Sequence, residues 1–364
     1  MKRLQSELAS RHRALGSNLE DWIGVGTAWT YSSDARDEHD AIRERAGLFD
    51  VSGLMKAWVT GPDAQAVVDH IFTRDMKKVK PGKSAYGLVL TEEGTITDDA
   101  IIACFDTERY LVAHGSGHAL EMLNESAKGL NATVEQTDAI QDVSLQGPKA
   151  LEILAPHTPL DLAGLKFFSQ AETTLFGIDV IISRTGYSGE RGYEVYSKRE
   201  DICEIWDKIL EAGSDAGVMP CSFACLDKIR IESALLFYPY DMNESITPWE
   251  VDLGFAVSKT KGDFRGKEAL LASEGKENVK LVGLVVDHTD LVGEGDELHI
   301  DGKRVGTLNS TIWSHRMGKS LALGHLPVGQ NAVGTKVDVR GDVNCTATIT
   351  SISFYDPEKL KMRG

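Results

Sequence analysis

The sequence predicts an α+β fold that ends in a small all-β barrel, and three observations predict it. A strand–Gly-Pro–helix pattern occurs twice, as KAWVTGPDAQAVVDHIF over 56–72 and VSLQGPKALEILAP over 143–156. Between the copies, GKSAYGLVLTEEGTITDDAIIACFDTERYLVAHGS (82–116) reads as three antiparallel strands with turns at Glu93-Gly94 and Asp106-Thr107. From about Leu281 the chain breaks into short β-branched segments with Asp-Gly and Gly-Asp turns, enough for a barrel of about six strands.

In chain order, Met1 to Leu19 carries Leu and Ala at helical spacing among charges and reads as a short arm. EHDAIRERAG is a helix with its charges outward, ended by Gly47 as a C-cap. Phe49–Val51 and Met55–Thr60 are expected strands. Pro62 and Pro148 each suit a first helical turn, where a missing N–H is no loss. Two such corners, 86 residues apart, point to a duplicated core. After the second corner, IDVIIS (178–183) is a strand that carries the loop RTGYSGERGYEV (184–195). Its glycines, at 186, 189 and 192, permit positive φ and close backbone approach, so Tyr187, Glu190 and Glu194 can surround something flat. ICEIWDKILEAGSDAG is an amphipathic helix with Trp206 on its apolar face. CSFACLDKIRIESAL is a second helix, and GKEALLASEGKENVK is a linker helix ahead of the barrel.

A chain of 364 residues accommodates two or three domains, and 42% hydrophobic with 26% charged residues describes an ordinary globular protein. A net charge of −16 argues against a nucleic-acid surface, which needs clustered Lys and Arg. The five cysteines are odd in number and share no repeated spacing. Cys221 and Cys225 have no second pair, and His114 and His118 have no third ligand, so no metal site is expected. No signal peptide or apolar run of about 18 residues is visible, which leads to the expectation of a cytoplasmic protein with reduced thiols and no membrane partner. GxSxG, Rossmann and P-loop patterns are lacking.

Asp98 and Asp99 enter an apolar strand, where side chains alternate, so only one of them can face a given pocket. A buried carboxylate there must find partners. Arg230 and Glu232, on one helix, are ordinarily explained by ion pairing. Trp249 follows Pro248 in a loop, a position from which an aromatic ring can cover a ligand. The residues thus describe an acidic, aromatic, glycine-lined site without a cofactor signature of its own.

Taken together, six blocks in order resemble the folate-dependent aminomethyltransferase family, typified by the glycine cleavage T-protein. They are EHDAIRERAGLFDVS, GKSAYGLVLTEEGTITDDAII, SLQGPKA, RTGYSGERGYEV, LDKIRIESALLFYPYDMNESITP and DFRGKEAL, spanning about Glu38 to Pro327. The resemblance implies a three-domain clover-leaf holding tetrahydrofolate in a central hole. It divides the chain into a folate-binding α+β domain with the arm (1–140), a second α+β domain (141–280) and the barrel (281–364). It places Asp99, with Asp98 as the alternative, beside the folate nitrogens as the catalytic residue. It implies Glu190 or Glu194 for the pterin, with Tyr86, Tyr187 and Arg230 as further cofactor contacts, Arg230 meeting a folate carboxylate or an acidic neighbour. The chain departs from the family pattern at GVGTAWTYSSD, at His114 (an asparagine in the family), at Leu226 (an arginine) and at Trp249. His114, Trp249 and Tyr240 are therefore expected on the substrate side. Aromatic faces there would suit a methylated onium donor. The expected activity is a demethylation by direct displacement that yields 5-methyltetrahydrofolate. The alternatives are an aminomethyltransferase that uses a lipoyl carrier protein and yields 5,10-methylenetetrahydrofolate, and a non-enzymatic folate-binding module. Retention of Asp98 and Asp99 argues against the last.

Overall fold

In the computed structural model, which describes residues 4–288 and 291–364, two sheets repeat one plan. Strand Met55–Thr60 leads into helix Ala64–Ile71. The strands Lys83–Leu90, Ile96–Asp106 and Arg109–His114 follow, then helix Ala119–Ser126 and strand Thr133–Gln136. Strand Ile140–Gln146 leads likewise into helix Ala150–Leu154. Strands Gln170–Leu175, Ile178–Ser183 and Gly192–Lys198, helix Ile202–Ala212 and strand Met219–Pro220 complete the second copy. In both copies the three middle strands form a meander whose last strand pairs antiparallel with the opening strand. The copies differ on the other side of that opening strand. Thr133–Gln136 takes the place in the first sheet, whereas Gly47–Asp50 takes it in the second and pairs in parallel with Met219–Pro220.

The two corners are the same device. Gly61 and Gly147 have φ of +112° and +134°. Each donates its N–H to the carbonyl just ahead of the returning strand, Glu108 at 2.9 Å and Arg191 at 2.8 Å. A Cβ there would lie 2.7 Å from Asn131 O or 2.5 Å from Arg45 O, so only glycine fits. Pro62 and Pro148 fall in the turn, two residues ahead of Ala64 and Ala150, and not inside the first helical turn.

Helices cover one face of each sheet. Val67, Val68 and Ile71 pack on Ala100, Ile102 and Val112, while Ile205, Trp206 and Ile209 pack on Val143, Leu145 and Val195. The opposite faces look at each other across a narrow gap. Ile101, Ala103, Leu111 and Ala113 line it from one side, and Ile181, Ser183 and Tyr196 from the other. Six strands close the barrel in the order 279–286, 319–327, 303–314, 297–300, 336–340 and 345–350. The barrel docks through a shared core that includes Leu88, Ile96, Trp249, Leu281, Ile312 and Leu321.

Two local expectations change. The N-terminal segment, whose first three residues lie outside the described ones, is built into the second sheet and is no loose arm. It forms helix Ala9–Ala14, with Leu8 fully buried in that sheet's core and His12 held between Asp50 (2.8 Å) and Tyr31 (2.9 Å). Gly47 is not a C-cap. The helix runs Ala35–Glu44, and Gly47 opens a strand where a Cβ would strike Ile42 and Cys221.

Candidate active site

Strand register sorts the polar residues onto faces. Tyr86 lies opposite Ile101, Leu88 opposite Asp99, Ile101 opposite Ala113, and Ala113 opposite Lys56. All of these therefore share the face that looks into the gap. Asp98 takes the other face. Its carboxylate accepts from Asp99 N (2.9 Å) and from Ala119 N (3.1 Å) at the start of a helix, and it contacts His114 Nδ1 at 2.9 Å. Asp98 is thus a fastener for the helix, and Asp99 is the member that faces the recess.

Asp99 keeps part of its surface accessible, yet protein surrounds it so closely that burial is the main influence on its proton. That combination describes the wall of a deep recess. Burial, reinforced by the Asp98 charge, pushes its pKa up to about 7, while the Tyr86 hydroxyl, which donates to it, pulls the other way. Near neutrality such a carboxyl can take or give a proton. Tyr86 and Tyr187 line the same recess and are pushed well above their usual range, chiefly by burial. Tyr187 donates to Leu236 O at 2.5 Å and Leu235 O at 3.2 Å, so its ring forms the wall while its hydroxyl is tied to the 235–236 backbone.

The two loop glutamates separate in the same way. Glu190 is buried in an ion network, 3.0 Å from Arg43 and accepting from Tyr355 at 2.7 Å. Glu194 sits opposite Ser183 and Ser144, on the face that looks into the gap. It accepts from Thr185 and, at 3.3 Å, from Tyr196. Burial raises its pKa, opposed by those hydroxyls and by Lys56. Of the two loop glutamates, Glu194 is therefore the one on the gap-facing side.

Other expected contacts are occupied elsewhere. Arg230 is buried and bound to protein acids, with Nε donating to Asp227 at 2.7 Å, Nη1 to Asp241, and Nη2 to Ser310 at 2.9 Å. The pairing is as expected for Arg230, but it is buried and holds the barrel; with Nη1 also donating to Leu235 O at 3.5 Å, one N–H of the five remains for a ligand. His114, opposite Ala100, lies on the Asp98 face and is almost fully buried. Trp249 is a core residue whose indole N–H donates to Leu270 O at 2.9 Å. His114 therefore does not share the face of Asp99. Tyr240 is 51% exposed and stacked on Phe237 at 5.6 Å, which is joined through Phe223 to Trp22 and Trp29.

The loop glycines serve the protein's own packing. A Cβ on Gly186 or Gly192 would fall 2.1 or 2.2 Å from the Gln146 amide, and one on Gly189, whose φ is +79°, 2.1 Å from Ser233 Oγ. Gln146 lies across two of them and bonds Ser144, Thr185 O and Ser188. Sequence reading missed Gln146, and it missed Lys56 and Asp142, which meet at 2.6 Å beside Glu194. The signal was present: Lys56 and Asp142 are charges at inward positions of apolar strands. Outside the recess, His39, Asp40 and His315 bring ligand-type atoms within 4.8 Å of one another, with Arg316 already 2.6 Å from Asp40. Among the described residues, no helix is long and apolar enough to cross a membrane.

Fold and recess together define a protein built like the aminomethyltransferases. Residues 8–261 match the family described as GCVT N-terminal domain, and residues 280–356 match the Glycine cleavage T-protein C-terminal barrel domain. The chain belongs to the folate-dependent aminomethyltransferase family and is an enzyme of that transferase class. It is 44% identical, over 98% of its length and 97% of the relative's, to the heme-dependent oxidative N-demethylase gamma subunit of Ectopseudomonas mendocina (strain ymp). It is 36% identical to the aminomethyltransferase of Bacillus subtilis (strain 168), covering 92% and 94% of the two chains. The crystal structure of glycine cleavage system aminomethyltransferase T from Bartonella henselae superposes with a TM-score of 0.90 at 27% identity, covering 97% and 98% of the chains.

Proposed function

We propose that this enzyme transfers to tetrahydrofolate the carbon removed from an N-methylated amine, accepting it at the oxidation level of formaldehyde. The observation that carries the reading is Asp99. It is a partly accessible carboxyl closely surrounded by protein, beside the Tyr86 hydroxyl, with its pKa pushed up by burial to about 7. The relative named as an oxidative N-demethylase subunit supports the source of the carbon, because oxidation of an N-methyl group releases it as an aldehyde. Tetrahydrofolate, when bound, supplies two nitrogens that take up the carbon, and formaldehyde plus tetrahydrofolate give 5,10-methylenetetrahydrofolate plus water without any redox step.

The residues fit that ligand. Glu194 is a carboxylate placed to accept the amino and ring N–H edge of a pterin together, as it would from guanidinium. Tyr86 and Tyr187 bound the recess with flat aromatic surface. Asp99 takes the proton that leaves the attacking nitrogen and returns it to the departing hydroxyl, while Tyr86 fixes its orientation. Enclosure limits water at the reacting carbon. Direct displacement from an onium donor is the less favoured reading, because His114 and Trp249, the residues expected to hold such a donor, are buried. Transfer from a lipoyl-bound aminomethyl group remains the second reading, favoured by the relatives named aminomethyltransferase.

The test follows product and source. Purified protein with tetrahydrofolate and limiting ¹³C-formaldehyde is expected to form 5,10-methylenetetrahydrofolate at least about tenfold faster than the spontaneous reaction. Asp99→Asn should remove about 10²-fold or more of that rate while folate still binds. A 5-methyl product from a methylated amine, or acceleration only with an aminomethyl-loaded lipoyl protein, would overturn the proposal.

A further inference from the structure

The recess contains a buried charge cluster that the reaction itself does not use. Lys56 faces the gap from one sheet, and Asp142 and Glu194 face it from the other. Lys56 Nζ donates to Ser52 O at 3.3 Å and Leu54 O at 3.0 Å and is ion-paired with Asp142 Oδ1 at 2.6 Å. Lys56 is therefore held in place by the protein. Asp142 is fully buried, and neither of its oxygens has a hydrogen-bond donor among the described residues, Oδ1 meeting Lys56 as an ion pair only. Around Glu194 stand Tyr196 on its own strand, Thr185 on the loop before it, Ser183 and Ser144 on flanking strands, Asp142 beyond, and Lys56 across the gap. Asp50, the other acid that acts on Asp142, is itself paired with His12.

Two carboxyls face one ammonium, and burial, opposed by Lys56 and reinforced by the Glu194 and Asp50 charges, pushes the Asp142 pKa up to about 7, so the cluster favours a proton or a ligand donor. A buried ionised carboxylate without partners costs several kcal/mol. That preference suits a ligand that donates two parallel N–H groups. We infer that Lys56 and Asp142 are positioning residues for Glu194: the ammonium, held by Ser52 O, Leu54 O and Asp142 on the same gap, favours the charged form of Glu194 that receives the paired N–H edge of a reduced pterin. This rests on reading the recess as a folate site. Binding is then strongest where Glu194 carries its charge and weakens as acid protonates the cluster, and removing Lys56 moves that weakening to higher pH.

The experiment is anaerobic calorimetric titration of the full chain with tetrahydrofolate between about pH 5.5 and 8.5. Lys56→Met is expected to weaken binding about tenfold at pH 7 and to move the acid limb up by about one pH unit. Its kcat at saturating folate should stay within about twofold of wild type, and Lys56→Arg should restore part of the affinity. An acid limb in Lys56→Met that coincides with wild type overturns the inference, as does a loss confined to kcat. If Lys56→Met does not fold, Lys56→Gln, which removes the charge and keeps a polar amide at the site, keeps the question open to measurement. Its limb should also lie above that of wild type, and a coincident limb overturns the inference. Wild-type protein that binds no tetrahydrofolate overturns the folate reading and the inference together, whereas tight wild-type binding with unchanged variants removes the inference alone.

Discussion

Asp98 and Asp99 are chain neighbours with separate tasks, because a strand turns successive side chains to opposite faces. Asp98 holds a helix N-terminus and His114, while Asp99 faces the recess with its pKa raised to about 7. An unfolded aspartate titrates near 3.9. A raised folded-state value means that the stabilising contribution is whole below about pH 4 and is lost as the pH climbs through 7. Asn escapes that loss. Asp99→Asn should therefore melt close to wild type near pH 4.5 and be more stable by about 1–2 kcal/mol at pH 8, read by thermal melts across pH. A gap that narrows as pH rises would contradict the assignment. Glu232 has the opposite sign: His39 and Arg43 outweigh the effect of burial and hold its pKa down at about 2. Its contribution is present above the ordinary glutamate range and disappears as acid approaches pH 2. The alternation was legible from the aspartate pair itself. Which member faced a pocket was not, because the helix that Asp98 caps is not part of that strand.

Among the elements, the two Gly-Pro corners show how local chemistry repeats a fold. The positive φ of Gly61 and Gly147 and the carbonyl that each would strike leave no room for Cβ. Gly147→Ala should destabilise the protein by about 2–4 kcal/mol, combining backbone strain with overpacking, as measured by urea unfolding. A change under about 0.5 kcal/mol would show that the corner can relax. The corner was readable from the sequence because its signals lie within three residues. The loop at 184–195 was readable as a turn, but the purpose of its glycines was not. Gln146 reaches two of them from a strand about 40 residues earlier, and Ser233 meets the third from a helix end about 40 residues later.

At the scale of the molecule, the barrel is tied to the rest of the chain by buried charge-assisted hydrogen bonds as well as by apolar packing. Arg230 links Asp227 and Asp241 to Ser310 of the barrel, and Glu232 accepts from Ser314 at 2.7 Å. Arg230→Met leaves the fully buried Asp241 without its cation and should cost about 3–5 kcal/mol in chemical unfolding. Tetrahydrofolate affinity of the folded fraction should change by less than about threefold; a loss of a hundredfold would return Arg230 to the ligand. We propose that the chain works as three units at about 1–140, 141–280 and 281–364, with Gly47–Asp50 exchanged from the first unit into the second unit's sheet. Limited proteolysis that releases the barrel near residue 280 would support that division.

The sequence by itself determined the α+β class, the duplicated corners, the terminal barrel and the aspartate pair, since each is written in residues a few positions apart. Only the tertiary structure decided that Asp99 and Glu194 face one gap, that Arg230 is bound to protein acids while Trp249 and His114 are buried, and that Lys56 meets Asp142. These are contacts between strands far apart in the chain, brought together by the burial of two sheets against each other, and no local spacing encodes them.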